Sequence, residues 1–439
     1  MRKIIYLLIE DKGREFGSRL LIALNAIANG FDVVLGQQWA IAHSLETLPP
    51  GVVLFKGNNL PQARDMANAK ARGHLVASIE EEAYALIDER LILSGYDTLA
   101  IQHCDLHFAQ GQFQAEIVSK NLPRFEGKIV ISGNPRSELL QPHFNKNIHT
   151  KAQDIRHKIG PYILVSTNVG TINNKEGDAL WCYDLFCRTG FYDKDDESQF
   201  EQFLDACDWE KGNLKSTTQI VRALSLADSE RVVVVRPHPV EKPDSWENAF
   251  VEYSNVLVEQ KGDHLAWISG SSVHVHTSST MGLEAFLLGK NAISLRTNSR
   301  RGWSEAYITD VLNPTFDNVE DAFAATRILE LEPNICNPKH LEIEERLDVH
   351  LHAARNGSAA ANIAGACLEL CRQKFGSSTE LDLPHIASIE FRNSERQKLK
   401  TFIRAEEIKE FALEYARKAG LDIPKTIHEI GPSVFLLSR

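Results

Sequence analysis

The feature that most constrains the fold of this chain is a regular alternation of short apolar runs with amphipathic segments. Between residues 3 and 131, the runs IIYLLI and DVVLG are typical of buried strands, and SRLLIALNAIANG between them has the spacing of a helix that ends at Gly30. Further strands are predicted at 51–55, 74–78, 98–102 and 128–132. Strands that alternate with helices form parallel sheets, so this region predicts one doubly wound α/β domain.

A second alternation follows a polar and basic stretch at residues 141–160. Its predicted strands are YILVST, VVVVRPHP, NVLVE, VHVHTSS and NAISL. We therefore predict an α/β protein with two Rossmann-like parallel-sheet domains that face each other across a cleft, 1–150 and 151–375. From residue 376 the sequence becomes charged and helical in pattern, and 376–439 is predicted to be a helical tail that packs back across the domains or docks elsewhere.

Composition narrows the class of protein. The 439 residues suffice for two or three domains, and the chain has no run of about 18 apolar residues that would span a membrane. A net charge of −11 opposes general affinity for nucleic acid, so no nucleic-acid partner is expected. Seven cysteines without paired spacing are typical of reduced thiols, and the first apolar run stops at Glu10 without a cleavage site, so we expect a cytoplasmic protein.

The segment RVVVVRPHP delivers Arg236 and His238 to the carboxyl end of a predicted buried strand. In open α/β sheets ligands bind at that edge. The two flanking prolines restrict the backbone, so His238 would be held in place to donate a hydrogen bond to a phosphate oxygen or a leaving group. The alternative is a surface loop with an incidental histidine.

A second segment, HTSSTMGLEAFLLGK, predicts a strand, a hydroxyl-rich turn and a helix. Ser278, Ser279 and Thr280 would lie at the helix N-terminus, where free N–H groups and the positive end of the helix dipole bind anions. The alternative is that these hydroxyl groups are ordinary helix caps and that Glu284 only favours the first turns. Together the two segments predict one site for a nucleotide phosphate.

These motifs resemble the C-terminal nucleotide site of GT-B glycosyltransferases that use cytidine nucleotides, with relatives among polyol-phosphate polymerases. The segments IEDKGREFGSRLLIALNAIANGFDVVLGQQWA, ISGNPRSELLQP and YILVSTNVG occur in the order found in a bacterial surface-carbohydrate biosynthesis family. That family contains retaining transferases of β-Kdo (3-deoxy-manno-octulosonate), which use CMP-Kdo. The resemblance covers residues 3–375.

The resemblance implies a CMP-sugar donor bound by the second domain. His238 and the turn 278–280 would hold its phosphate together with Arg236, Glu284 would contact the ribose, and Asn168 would hydrogen-bond the donor or nucleophile. Asn168 alternatively caps a turn. Helix N–H groups and a histidine can stabilise a nucleoside monophosphate leaving group without metal, so neither a metal nor another cofactor is expected.

Kdo carries a carboxylate at its anomeric carbon, which an arginine can bind in a bidentate manner. Arg14 and Arg136 are the candidates, with Asn134 beside Arg136 in GNPR. Each arginine could instead form a solvated or interdomain ion pair. Glu10 and Glu15 flank Arg14 in sequence, and we expect them to orient the acceptor or to act as general base.

Retention by two displacements requires a carboxylate that attacks the anomeric carbon, and retaining members of the family are thought to use an aspartate. Asp205 and Asp208, in QFLDACDWEKG, are the candidates, and Asp205 is preferred; the alternative is an exposed helix residue. The expected activity is transfer of Kdo or a related keto-acid sugar from CMP to an oligosaccharide or lipid-linked glycan, with peripheral association at the inner membrane. A CDP-polyol phosphotransferase and a non-catalytic nucleotide- or glycan-binding assembly protein are the alternatives.

Overall fold

The computed structural model describes residues 3–297, 306–332, 340–376 and 388–439. Contacts between residues divide the chain into two compact units. Unit 1 lies within residues 1–84, 92–144 and 348–439, and unit 2 within 85–91 and 145–347.

The strands of unit 1 are β1 (Lys3–Ile9), β2 (Phe31–Gln37), β3 (Val52–Phe55), β4 (Leu75–Ile79), β5 (Leu106–Ala109) and β6 (Ile129–Ile131), with β13 (Thr426–Gly431) and β14 (Val434–Ser438) near the end of the chain. The strands of unit 2 are β7 (Tyr162–Ser166), β8 (Val232–Arg236), β9 (Val256–Val258), β10 (Val273–His276), β11 (Ala292–Leu295) and β12 (Thr315–Phe316).

The helices up to residue 227 are α1 (Lys12–Ala28), α2 (Gln38–Ser44), α3 (Leu60–Ala71), α4 (Glu89–Ser94), α5 (Thr98–His103), α6 (Gln112–Asn121), α7 (Pro135–Glu138), α8 (Lys146–Ile159), α9 (Ala179–Arg188) and α10 (Glu197–Ala227). The later helices are α11 (Pro243–Ala249), α12 (His264–Gly270), α13 (Thr280–Leu287), α14 (Thr309–Leu312), α15 (Val319–Leu331), α16 (His340–His350), α17 (Ala359–Phe375), α18 (Glu395–Thr401) and α19 (Ala405–Ala419). None of the helices in the described ranges is long and apolar enough to cross a membrane.

Unit 1 is built on an eight-stranded sheet with the order β13-β14-β2-β1-β3-β4-β5-β6. The six strands in the order β2-β1-β3-β4-β5-β6 pair in parallel, as the alternation in the sequence predicts. The side chains of β1 alternate between two cores: Leu7 faces α1 and α17, and Tyr6 faces α2 and α3. Because both faces are covered by helices, β1 is a continuous apolar run. Helix α1 ends as predicted, with Gly30 at a φ of 84°.

The sequence predicted a strand at residues 98–102, but the structure has helix α5 there. The strand of this region is β5, at residues 106–109. The helix begins after Asp97, whose side chain accepts from Leu99 N at 2.8 Å. A short apolar run does not distinguish a strand from a buried helical turn, and here the N-cap aspartate decides for the helix.

The C-terminal segment belongs to unit 1 and is only partly helical. Strand β14 pairs antiparallel with β2, and β13 pairs antiparallel with β14. This C-terminal hairpin therefore extends the sheet of the first domain, which was predicted to comprise residues 1–150. Helix α17, which the sequence analysis placed in the second domain, packs on α1 through Ile363 and Cys367. In the structure, the chain re-enters unit 1 at Asp348, whereas the second domain was predicted to extend to residue 375.

Unit 2 contains a parallel sheet with the order β12-β11-β10-β7-β8-β9. Its core joins the apolar strands to the long helix α10 through Ile220, Val221 and Leu224, and to α11 through Trp246. The two parallel sheets confirm the predicted α/β class with Rossmann-like domains.

We expect Gly36→Ala to lower stability by disrupting the join between β2 and the C-terminal hairpin. A Cβ at Gly36 would lie 2.2 Å from Ser433 O and 2.6 Å from Val434 Cα, so backbone must shift. Overpacking of this kind costs on the order of 1–3 kcal/mol, measurable as a lower midpoint of chemical denaturation.

Gly365→Ala is the matched control for this substitution. Gly365 lies inside α17, and its added Cβ would meet nothing within 4 Å. This control should raise stability by up to about 1 kcal/mol because alanine is the better helix former. Equal midpoints for the Gly36→Ala protein and the unchanged protein would contradict the docking of the hairpin.

Candidate functional site

The carboxyl ends of three neighbouring strands in unit 2 bring the predicted donor-binding loops to one edge of the sheet. Strand β7 lies between β8 and β10, with Ser166 opposite Arg236 and Val165 opposite Val275. The three strands therefore end at the same level, and the ends of β8 and β10 are about 10 Å apart, since neighbouring strands are about 4.8 Å apart. The loops leaving this edge carry half-buried Asn168 after β7, His238 after β8 and residues 278–280 after β10.

His238 is exposed in a tight turn that follows β8. Its carbonyl oxygen accepts from Glu241 N at 2.8 Å, and its Nδ1 accepts a long bond from Val240 N at 3.4 Å. When Nδ1 accepts, the proton of the neutral ring is on Nε2. A Cβ added to Gly170 would lie 3.9 Å from Nδ1, so the ring stands beside the loop that carries Asn168. In this tautomer His238 Nε2 carries the ring proton at this edge of the sheet.

The hydroxyl groups before α13 are used differently from one another. Ser279 is the N-cap of α13, and its Oγ accepts from Met281 N at 3.3 Å. Ser278 has a φ of 54°, in the left-handed region, and its Oγ donates to Asp310 Oδ2 at 2.7 Å. Half-buried Thr280 is the first residue of the helix. An anion at this turn would meet the positive end of α13 and the Ser279 hydroxyl, while the Ser278 proton is bonded to Asp310.

Two predicted donor-binding side chains bind other parts of the protein. The buried Arg236 guanidinium donates to three backbone carbonyls of residues 259–262, at 3.2, 2.8 and 2.7 Å, and so holds the loop after β9. Glu284 lies 3.1 Å from His264 Nε2, with its side chain 5% exposed, and joins α13 to α12. The ribose contact expected of Glu284 stays a prediction.

Both candidate nucleophiles lie on the exposed side of α10. Asp205 is exposed, and Asp208 pairs with Lys211 at 2.9 Å. Exposure leaves both carboxylates accessible to solvent. Their catalytic role stays a prediction.

The buried carboxylate of α10 is Glu210, which the sequence analysis did not name. Its Oε2 accepts from the backbone N–H groups of Thr171 and Ile172 at 2.9 and 3.0 Å, in the loop after β7. A signal for this residue is present in the sequence: Glu210 follows the buried Phe203 and Cys207 at helical spacing, so it shares their face.

Burial raises the pKa of Glu210 to about 7, although the N–H groups of Thr171 and Ile172 favour its ionised form. A raised pKa means that ionisation opposes folding. The contribution of Glu210 to stability is therefore complete below its ordinary pKa of 4.5 and is lost as the pH rises towards about 7.

We expect Glu210→Gln to reduce the dependence of stability on pH. The amide keeps an oxygen for both N–H groups and cannot ionise. Chemical denaturation at pH 5 and pH 8 should show that the unchanged protein loses more free energy of unfolding than the variant over this interval, by on the order of 1–3 kcal/mol. Equal losses in the two proteins would contradict a buried, titrating Glu210.

Unit 1 has a charged cluster at the carboxyl edge of its own sheet. Lys56, after β3, lies 2.5 Å from Glu10 Oε2 and 3.6 Å from Glu15 Oε1, and Lys400 lies 3.3 Å from Glu10 Oε1. Burial raises the pKa of Glu10, but the two ammonium groups outweigh this and lower it to about 2. Glu10 is therefore a weak base for an acceptor hydroxyl. Lys56 was not named from the sequence, although it directly follows a predicted strand.

The remaining predicted residues of unit 1 lie at the same edge. Arg14 is 3.7 Å from Glu82, and both side chains are well exposed. The Arg136 guanidinium lies over the Tyr84 ring, 4.2 Å from its centroid. Asn134 caps α7 by accepting from Arg136 N at 2.9 Å. The structure thus gives Arg14 an ion pair and Arg136 a cation–π contact, and it leaves their binding of a sugar carboxylate untested.

A metal site does not emerge from the part of the chain that the structure describes. Within those residues, no group of three or more His, Cys, Asp or Glu side chains is arranged to hold an ion.

Several solved structures share the fold of this chain at low sequence identity. A putative UDP-N-acetylglucosamine 2-epimerase from Listeria monocytogenes has a TM-score of 0.52 at 13% identity, covering 86% of this chain and 98% of its own. The UDP-GlcNAc 2-epimerase from Neisseria meningitidis, bound to UDP-GlcNAc, has a TM-score of 0.51 at 13% identity over 84% and 100%. S. aureus MnaA with UDP has a TM-score of 0.50 at 13% identity over 87% and 100%.

At this identity the similarity establishes the fold. The chain has the GT-B fold, built from two Rossmann-like domains. Comparison of the sequence with protein-family models and with curated proteins gives no match.

Proposed function

We propose that this protein is a glycosyltransferase that moves Kdo, or a related 2-keto-3-deoxy sugar acid, from a CMP donor to a surface glycan. The observation that carries the proposal is the edge of the unit 2 sheet, where His238 Nε2, the Ser279 hydroxyl and the N-terminus of α13 lie on the loops that leave β8 and β10. All three are hydrogen-bond donors or positive dipoles, which suits a phosphate. The UDP and UDP-GlcNAc bound by proteins of the same fold agree with a nucleotide-sugar donor.

The proposed chemistry needs the phosphate of CMP to leave as an anion. His238 Nε2 and the positive end of α13 stabilise the charge that develops on the phosphate as the glycosidic bond breaks. Arg14 and Arg136 are the proposed partners of the sugar carboxylate or of an acidic acceptor, with Asn134 and Glu15 beside them. A lipid-linked acceptor would place the reaction in the cytoplasm, at the inner face of the membrane.

His238→Ala should weaken CMP binding about tenfold to a hundredfold, because one hydrogen bond to a charged group is worth roughly 1.5–3 kcal/mol. Isothermal calorimetry with CMP measures this directly. His157→Ala is the matched control, since His157 is exposed on α8 of the same unit and should leave the affinity unchanged. An unaltered affinity in the His238→Ala protein would remove the phosphate assignment.

Retention requires a nucleophilic carboxylate, and Asp205 is the proposed one, with Asp208 as its neighbour. The backbone of the loop after β7 meets α10 at Glu210, and Asp205 lies about 7.5 Å from Glu210 along the helix axis, towards the N-terminus of α10. Glu210 itself is committed to two backbone N–H groups.

Asp205→Asn should abolish transfer while CMP still binds, because an amide cannot form the glycosyl-enzyme intermediate. Mass spectrometry of the protein incubated with CMP-Kdo, generated in situ, should show a sugar adduct that is lost in this variant. Asp208→Asn is the matched comparison on the same face of α10. Full activity of Asp205→Asn would assign the nucleophile elsewhere.

The mass of the product also distinguishes the alternatives. Both a Kdo transferase and a CDP-polyol phosphotransferase release CMP, but the first adds a sugar acid to the acceptor and the second adds a polyol phosphate. Binding of CMP without release in the presence of any acceptor would favour a non-catalytic assembly protein.

A further inference from the structure

Glu241 is a fully buried carboxylate at the edge of the unit 2 sheet, three residues after His238. It accepts from Thr167 Oγ1 at 2.8 Å, from Val169 N at 3.0 Å and from Trp246 Nε1 at 2.8 Å, and a longer bond comes from His238 N at 3.4 Å. These partners are neutral donors. Hydrogen bonds to a carboxylate are the stronger, charge-assisted kind, and they offset the cost of burying its charge.

The donors come from both loops that carry predicted ligand contacts. Thr167 and Val169 flank Asn168 in the loop after β7, and His238 begins the turn after β8. One carboxylate therefore binds the Thr167 side chain before Asn168, the Val169 backbone after it and, by the longer bond, the backbone at the start of the His238 turn.

Further contacts make the two loops a single packed layer. Lys175 N donates to Val240 O at 2.9 Å, and a Cβ at Gly170 would lie only 2.6 Å from Val240 Cγ2. Gln260 Nε2 donates to His238 O at 2.8 Å. The Glu241 carboxylate accepts hydrogen bonds from both loops and so organises the donors around it.

We propose that Glu241 is a positioning residue that sets the places of Asn168 and His238 relative to each other, and thereby the geometry of the phosphate site. This inference rests on the proposed function for the identity of the ligand. Glu241 itself does not touch the phosphate, because it is buried beneath the loops.

Glu241→Gln tests the proposal with little change in shape. The amide NH₂ replaces one oxygen, and it meets N–H donors where an acceptor is required, so at least one bond of the cluster is lost. CMP affinity, measured by calorimetry, should fall tenfold or more. Hydrogen exchange should become faster in residues 167–175 and 237–242 together.

Glu330→Gln is the matched control. Glu330 is also a buried carboxylate of unit 2, with its side chain 4% exposed, but it pairs with Arg231 and Arg327 at the amino end of β8, at 2.8 and 2.7 Å. This variant should lose stability without changing CMP affinity or exchange in the two loops. A comparable loss of CMP affinity in Glu330→Gln would mean that Glu241→Gln also acts by destabilising the protein in general, and it would overturn the proposal.

A second measurement separates positioning from a merely structural role. If Glu241 acts through Asn168 and His238, then adding Glu241→Gln to an Asn168→Ala/His238→Ala protein should change the remaining CMP affinity by less than twofold. The same tenfold loss in both backgrounds would overturn the proposal, as would normal CMP affinity in Glu241→Gln alone.

Failure of the proposed function is distinguishable from failure of this inference. If the unchanged protein does not bind CMP, the nucleotide assignment fails, and hydrogen exchange alone decides on Glu241. Faster exchange in both loops of Glu241→Gln supports the positioning role, and unchanged exchange in either loop overturns it.

Discussion

Parallel pairing makes the carboxyl ends of the paired strands meet at one edge of a sheet, and the placement of the polar side chains in both units depends on this constraint. The strands themselves are apolar and covered by helices on both faces, so polar side chains collect in the loops at the carboxyl edge. In unit 1 this edge gathers Glu10 and Lys56, and in unit 2 it gathers Asn168, His238 and the start of α13.

The two edges balance their charges in different ways. In unit 1, carboxylates pair with ammonium and guanidinium groups, as Glu10 does with Lys56 and Lys400. In unit 2, Glu210 and Glu241 are buried under the loops and are bonded mainly by neutral backbone and side-chain donors. At the unit 2 edge, His238 and the N-terminus of α13 can donate to an anionic ligand, whereas the unit 1 edge presents both signs of charge.

The periodicity of the sequence was sufficient to predict most of the parallel strands and the loops that follow β8 and β10, although it gave no strand at β5 or β12. Periodicity was insufficient where contacts between residues remote in sequence determine which sheet or unit an element joins. The hairpin β13–β14 is defined by its partner β2, which is remote in sequence, and α17 is assigned to unit 1 by its packing on α1. Residue type also did not reveal a side chain's partner: Arg236 was predicted to bind a ligand, but it donates to backbone carbonyls. On α10, Glu210 was not named from the sequence, although its spacing from Phe203 and Cys207 places it on the apolar face.

The pairing of β14 with β2 has a consequence for how the chain acquires its structure on the ribosome. Val434 pairs with Gly36, so about 400 residues must be added after β2 before its outer edge is covered. At roughly 5–20 residues per second, that edge waits about 20–80 seconds. The described strands of the unit 2 sheet all lie within residues 162–316, so this sheet can form earlier. Translation therefore completes the sheet of unit 2 before the sheet of unit 1, although unit 1 begins first.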